Sequence, residues 1–348
     1  MIGLLGALVS TNQPEAVSNL VRQTTGVSVA VADPNDPVEK AYKKLMADDD
    51  AAQEEVDKWI RDNDEFTAKG AGISRKELNV KIRARFEPIR QQYEEFLKQH
   101  PNHVRARIAY GSFLEDLHDE DASQEQWEKA LELDKNDPAI YNNLANHYGH
   151  TGPVKKAFEY YAKAIELNPN EPVYYHNFGT TVYLFRKDAR EYYNFSEQQV
   201  FDKALELYSN SLRLDPTNFP LASDVAQTYY GIKPTRTDDA LRAWTNALSI
   251  AHDESEREGV YLHFARLKMH AERFAEAHAH INAVTNEMYN DLKARLVKNL
   301  NLQEAMAKTN SSKGPDAKPL EAAPADANLE AVDKKPGDSF KKPENKSP

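Results

Sequence analysis

Residues 138–171 read PAIYNNLANHYGHTGPVKKAFEYYAKAIELNPNE. Tyr141, Leu144, Ala145 and Tyr148 recur at the spacing of one helical face, and after Gly152-Pro153 so do Ala157, Tyr161 and Ala164. Pro at the start, Gly-Pro in the middle and Pro169 near the end punctuate two helices of about four turns each. Two such short helices cannot bury their apolar faces against one another alone. The segment therefore predicts stacking on further copies of itself.

Those copies are present. The second-helix triplet of Ala157, Tyr161 and Ala164 returns as Ser123, Trp127 and Ala130, then Ala204, Tyr208 and Ser211. It returns again as Ala240, Trp244 and Ala247, and as Ala277, Ile281 and Val284. The spacing is four residues and then three each time. In the first helix a small residue recurs at Gly111, Ala145, Gly179, Ala226 and Ala265. Small residues let two helices approach closely, and the large residue of the triplet fills the space beside them.

The thirty-four-residue unit with this pattern resembles the tetratricopeptide repeat. The resemblance covers roughly residues 102–290. It implies an all-α, right-handed α-solenoid of helix–turn–helix repeats with capping helices at both ends. It also implies a non-catalytic scaffold or adaptor, whose first helices line a concave groove that takes a peptide or a partner protein. The other role considered is a repeat subunit assisting an envelope polysaccharide or secretion enzyme complex.

If the units stack as in that family, the groove lining can be placed. The first helices present Asn142, Asn143 and Asn146, then His176, Asn177, Thr180 and Tyr183. Ser223, Asp224, Gln227 and Tyr230 follow, and then His263, Arg266 and His270. The lining is polar and mostly uncharged, and an amide offers a donor and an acceptor to an extended backbone. One family subtype holds terminal carboxylates with Lys or Arg beside Asn. Here Asn142 and His176 stand where lysine is wanted, which argues against that mode.

The ruler set by 138–171 exposes an insertion. The small residue of the first helix and the opening residue of the triplet are twelve apart in three units, but twenty-five apart from Gly179 to Ala204. The extra stretch, FRKDAREYYNFSEQQVF at 185–201, has no Pro or Gly, and Ser196 with Gln199 fits a capping box. The spacing predicts two lengthened helices with a turn near Asn194, projecting beyond their neighbours. Tyr192, Tyr193 and Phe195 would sit at the tip as a second contact site or a dimer contact, or else pack against the adjacent unit. Two further extra residues fall around Gly231 and Pro234.

Outside the array, residues 1–37 read as an irregular leader, with Val27, Val29 and Val31 permitting a short strand. Residues 38–101 read as a helical N-terminal cap including a degenerate repeat. In it Asp48-Asp49-Asp50 separates two helices, Ser74 and Glu77 form a capping box, and Pro88 kinks or breaks the last helix. Residues 102–308 hold five repeats and a C-terminal capping helix, with Leu292, Leu296 and Leu300 on its inner stripe. The composition of 309–348, rich in Pro, Ala, Lys and Asp with one aromatic, predicts disorder.

Composition narrows the function. A net charge of −11 argues against nucleic-acid binding, which uses basic patches. The absence of cysteine excludes disulfides and thiolate chemistry. His263, His270, His278 and His280 lack the spacing of a helical metal pair, and no phosphate loop or nucleophile elbow occurs. No cofactor, metal or small-molecule substrate is expected. The expected partner is a protein or peptide, and the expected state a monomer or weak homo-oligomer. MIGLLGALV at the start is shorter than the ~20 residues of a membrane span. It has the apolar core of an export signal without the preceding basic segment, so cytoplasmic and exported locations both stay open.

Overall fold

A computed structural model describes residues 35–312, with side chains through Thr309. The predicted leader up to residue 34, its Val27–Val31 strand, and the tail from residue 313 lie outside the described residues. Among those described, every regular element is helical, and no helix is long and apolar enough to cross a membrane. The chain divides into two compact units at residues 135 and 136.

The first unit holds α1 (Pro37–Ala68), α2 (Arg75–Gln99), α3 (Val104–Asp116) and α4 (Glu120–Leu133). The expected break at Asp48–Asp50 does not occur, and α1 runs unbroken for 32 residues. Each acid there has a helical role. Asp48 pairs with Lys44 one turn back, at 2.5 Å, and buried Asp49 accepts from the Tyr93 hydroxyl of α2, at 2.5 Å. Burial raises the Asp49 carboxyl above its usual range. Pro88 likewise fails to break α2. It removes one N–H from the ladder, and the buried Phe86, Ile89 and Tyr93 around it hold the helix in the core. Ser74 and Glu77 form the predicted capping box.

In α3 and α4 the repeat chemistry is explicit. A Cβ on Gly111 would lie 2.4 Å from Trp127 Nε1, so only glycine lets the two helices meet around that ring. Trp127 Nε1 donates to the Ile108 carbonyl of the facing helix at 3.1 Å.

The second unit begins with α5 (Pro138–Thr151) and α6 (Val154–Leu167). Next come α7 (Pro172–Leu184), α8 (Arg186–Tyr193) and α9 (Glu197–Leu214), then α10 (Phe219–Thr228) and α11 (Thr237–Ser249). The unit ends with α12 (Glu254–His270), α13 (Phe274–Asn282) and α14 (Asn290–Ser312). The hairpins are α5/α6, α7/α9, α10/α11 and α12/α13, and α6, α9 and α11 each pack on the first helix of the next pair. The unit is thus a stack of helical hairpins closed by α14. Leu296 and Leu300 of α14 join Leu262, Ile281 and Val284 in its last core cluster, and Leu292 packs against it.

The insertion departs from expectation. The first helix of its repeat ends at Leu184, Phe185 turns, and α8 starts anew. Asn194 closes α8 in the left-handed region at φ 54°, and Ser196 caps α9 with Gln199 as its capping-box partner. Instead of projecting, α8 lies against α6 of the preceding repeat. Phe158 of α6 meets Tyr192 at 5.4 Å and Tyr193 at 5.8 Å between ring centroids, and Tyr193 stacks on Phe195 at 5.3 Å. Packing these rings on Phe158 outweighs the straight continuation that local pattern favours, although Tyr192 itself stays exposed.

Candidate functional site

The residues assigned to the first-helix face all fall in the second unit. Asn142, Asn143 and Asn146 lie on α5, and His176, Asn177, Thr180 and Tyr183 on α7. Ser223, Asp224 and Gln227 lie on α10, with Tyr230 in the single 3-10 turn that follows it. His263, Arg266 and His270 lie on α12.

Successive first helices are tied through these residues. Asn177 donates to the Asn142 side-chain carbonyl at 3.2 Å, from α7 to α5. His176 Nε2 lies 3.3 Å from an Asp224 oxygen, joining α7 to α10. The Tyr230 hydroxyl lies 3.0 Å from His263 Nδ1, reaching α12. The residues therefore form one run along the stack rather than separate patches. The run is less free than the pattern implies. Asn142 is buried, and its amide carbonyl is taken by Asn177.

The large residues of three second-helix triplets, Tyr161, Tyr208 and Trp244, also reach this face, a role that the triplet pattern alone does not assign. The Tyr161 hydroxyl donates to the Asn146 side chain at 2.7 Å and accepts from Thr181 at 3.2 Å. The Tyr208 hydroxyl bonds Thr180 at 3.1 Å. Burial pushes both phenols up to about 12, so they remain neutral donors. Second-helix aromatics thus set the rotamers of Asn146 and Thr180. What is left to a ligand includes the Asn146 amide nitrogen and the Asn177 amide oxygen.

At the far end, the His263 ring stacks on Trp244 at 3.8 Å, nearly parallel. Burial, and then the nearby Arg266 guanidinium, bring its pKa down to about 3, so it is neutral at ordinary pH. The Arg266 guanidinium lies over the Tyr230 ring at 4.2 Å. Tyr183 sits against Gly231, where a Cβ would lie 2.0 Å from its hydroxyl. A cavity of about 400 Å³ opens beside the His176–Asp224 pair, with Glu171, Ser211 and Asp215 on its walls. Tyr192, Tyr193 and Phe195 are not part of this run; they belong to the aromatic cluster on α6.

The tetratricopeptide repeat family model matches residues 138–171, the span of α5, α6 and the loop that ends them. Residues 138–171 are thus a tetratricopeptide repeat. Three of the solved structures similar to the chain are these. MamA is 22% identical over 49% of this chain and 91% of its own, with a TM-score of 0.39. PilF of Pseudomonas aeruginosa is 16% identical over 76% of this chain and 100% of its own, with a TM-score of 0.45. PilW, a type IV pilus biogenesis factor, is 15% identical over 70% and 97%, with a TM-score of 0.47. A search of curated proteins finds no match. The matched unit supplies the asparagines at one end of the run, and α12, outside the match, supplies the arginine at the other.

Proposed function

We propose that this protein is a protein-interaction scaffold whose first-helix face in the second unit takes an extended segment of a partner protein. One observation carries the reading. Polar side chains of four successive first helices, or of the turn that follows one, are bonded to one another across repeats, from Asn142–Asn177 to Tyr230–His263. Such bonds fix the donors and acceptors before any ligand arrives, which lowers the entropic cost of binding. The repeat spacing supports an extended partner, because its backbone would pass one hairpin after another.

The test is affinity capture with the intact chain, followed by mass spectrometry of what is retained. A variant carrying Asn177→Ala and Gln227→Ala is run in parallel. Both positions are half-buried on the proposed face. The variant should lose most of the retained partner while keeping a helical spectrum and a cooperative melt. Equal recovery of the same partner by both proteins would refute the reading.

A further inference from the structure

The first unit carries a helical arm that its own chain leaves uncovered. The end of α3 reaches α1 at Gln53, which donates to Asp116 at 3.4 Å. The turn that follows, through Leu117 and His118, shares a cavity wall with Arg83 and Phe86 of α2. Past Gln53, α1 continues for fifteen residues, about 22 Å, and α2 returns beside it. From Arg61 to Glu77 every residue except Asn63 is exposed. The loop at the tip is nevertheless held. Asn63 accepts from the Ile73 N–H at 2.8 Å and donates to the Ile73 carbonyl at 3.4 Å, and Ser74 with Glu77 caps α2.

The seam of this arm is unfinished. Ala52, Val56, Trp59, Asn63 and Phe66 follow one another on α1 at spacings of four and three, the pattern of a helix that packs along one stripe. Leu78 and Ile82 answer on α2, and Lys81 lies over the Trp59 ring at 3.7 Å. Phe66 falls one turn beyond Asn63, where α2 has already given way to the loop. It stays 55% exposed, and Ile73 46%. One pair of helices leaves a side of its seam open, and two pairs close it as a four-helix bundle.

Charge indicates what closes it. Residues 54–66 of α1 hold six acids and two bases, and residues 75–85 of α2 hold five bases and one acid. The two stripes cancel, on a chain whose net charge is −11, so two arms meet without the repulsion that the rest of the chain imposes. Acid and base already pair within the arm, where Glu55 accepts from Arg85 at 2.7 Å. A two-fold axis along two arms lays each acidic α1 on the basic α2 of the other copy, so that neighbouring helices carry opposite signs all round. A partner of a single sign would match one helix and be repelled by the other.

We propose that the arm of α1 and α2 is a dimer contact, joining two copies of this chain as an antiparallel four-helix bundle whose end is sealed by Phe66 and Ile73. The contact uses none of the residues on the face proposed for the partner segment. Each dimer carries two such faces, so a partner that presents its segment twice gains avidity.

Sedimentation velocity of the full-length protein from about 1 to 100 μM tests it. The wild type should pass from the mass of one chain to that of two as concentration rises. Phe66→Ser should raise the dissociation constant at least about tenfold. Val80→Ser, an exposed position on the side of α2 away from the seam, should leave it unaltered. Charge reversal gives the sharper readout. Arg75→Glu with Lys76→Glu puts acids on both helices of the tip, and Asp62→Lys with Asp64→Lys puts bases on both. Neither variant should dimerise alone over that range, and an equimolar mixture of the two should. Far-UV dichroism equal to that of the wild type shows that the arm stays helical in each.

A wild type that remains monomeric throughout would overturn the inference and leave the arm to a different protein. A dimer indifferent to Phe66→Ser would overturn it too, as would charge variants that do not recover in the mixture, because the copies would then join elsewhere.

Discussion

His263 shows how one side chain is tuned by its neighbours in this stack. Its ring lies on Trp244 and its Nδ1 is engaged by Tyr230. Burial, and then the Arg266 charge, favour the neutral ring on folding, and the pKa falls from about 6.5 in an unfolded chain to about 3. Between those values the unfolded chain binds more protons than the folded one, so stability rises with pH across the window. The contribution is fully present above pH ~6.5 and is lost as the pH falls toward ~3. Urea melts of wild type and His263→Gln at pH 7, 6, 5 and 4 isolate it. The stability difference between them should shrink on acidification, by no more than about 1.4 kcal/mol per pH unit for a single proton. Parallel pH profiles would show that the ring is solvated and ordinary. At the same scale, the sequence pattern located Asn142 and Asn177 on one face but could not show that they bond each other. That pairing depends on the angle between adjacent hairpins, which no single helix's periodicity encodes.

Among elements, α8 differs most from what its sequence suggests. Residues 185–193 read as a straight continuation of α7, whereas the turn near Asn194 and the N-cap at Ser196 are legible and are found. The break at Phe185 and the fold-back are decided by Phe158, a residue almost thirty positions earlier, whose ring meets Tyr192 and Tyr193. The unbroken α1 and α2 have the same explanation. Asp49 and the residues around Pro88 are judged by the core they meet, such as the Tyr93 hydroxyl, rather than by local rules. Tyr193→Ala removes the ring between Phe158 and Phe195 and should cost roughly 1–3 kcal/mol, less than a fully buried aromatic because the site is half-exposed. It should also open α8 to trypsin at Arg186, Lys187 and Arg190, with cleavage there preceding cleavage elsewhere. A variant with wild-type stability and no faster cutting would mean that α8 is held by other contacts.

For the whole molecule, the legible part was the register. All fifteen residues of the five second-helix triplets are buried, from Ser123 and Trp127 to Ile281 and Val284. The pattern is readable because every repeat solves the same packing problem with the same spacing. What it leaves out is whatever one repeat does for another, and those terms are short-ranged in a stack. Within the second unit this gives a sharp expectation. Phe158 touches Phe178, Tyr192 and Tyr193, whereas Leu300 belongs to the separate cluster of Leu262, Ile281 and Leu296. Phe158→Leu and Leu300→Val should each cost on the order of 1 kcal/mol, and the double variant should equal their sum within ~0.5 kcal/mol. Tyr161 and Thr181 share a hydrogen bond between neighbouring repeats, at 3.2 Å. Tyr161→Phe with Thr181→Val should therefore deviate from additivity by at least ~0.5 kcal/mol, because either change alone already breaks that bond. Denaturant titrations of the wild type and the six variants, followed by far-UV dichroism and by tryptophan fluorescence, decide it. Strong coupling in the distant pair would mean that the stack unfolds through an interaction reaching beyond neighbouring repeats, and that nearest-neighbour energetics do not describe it.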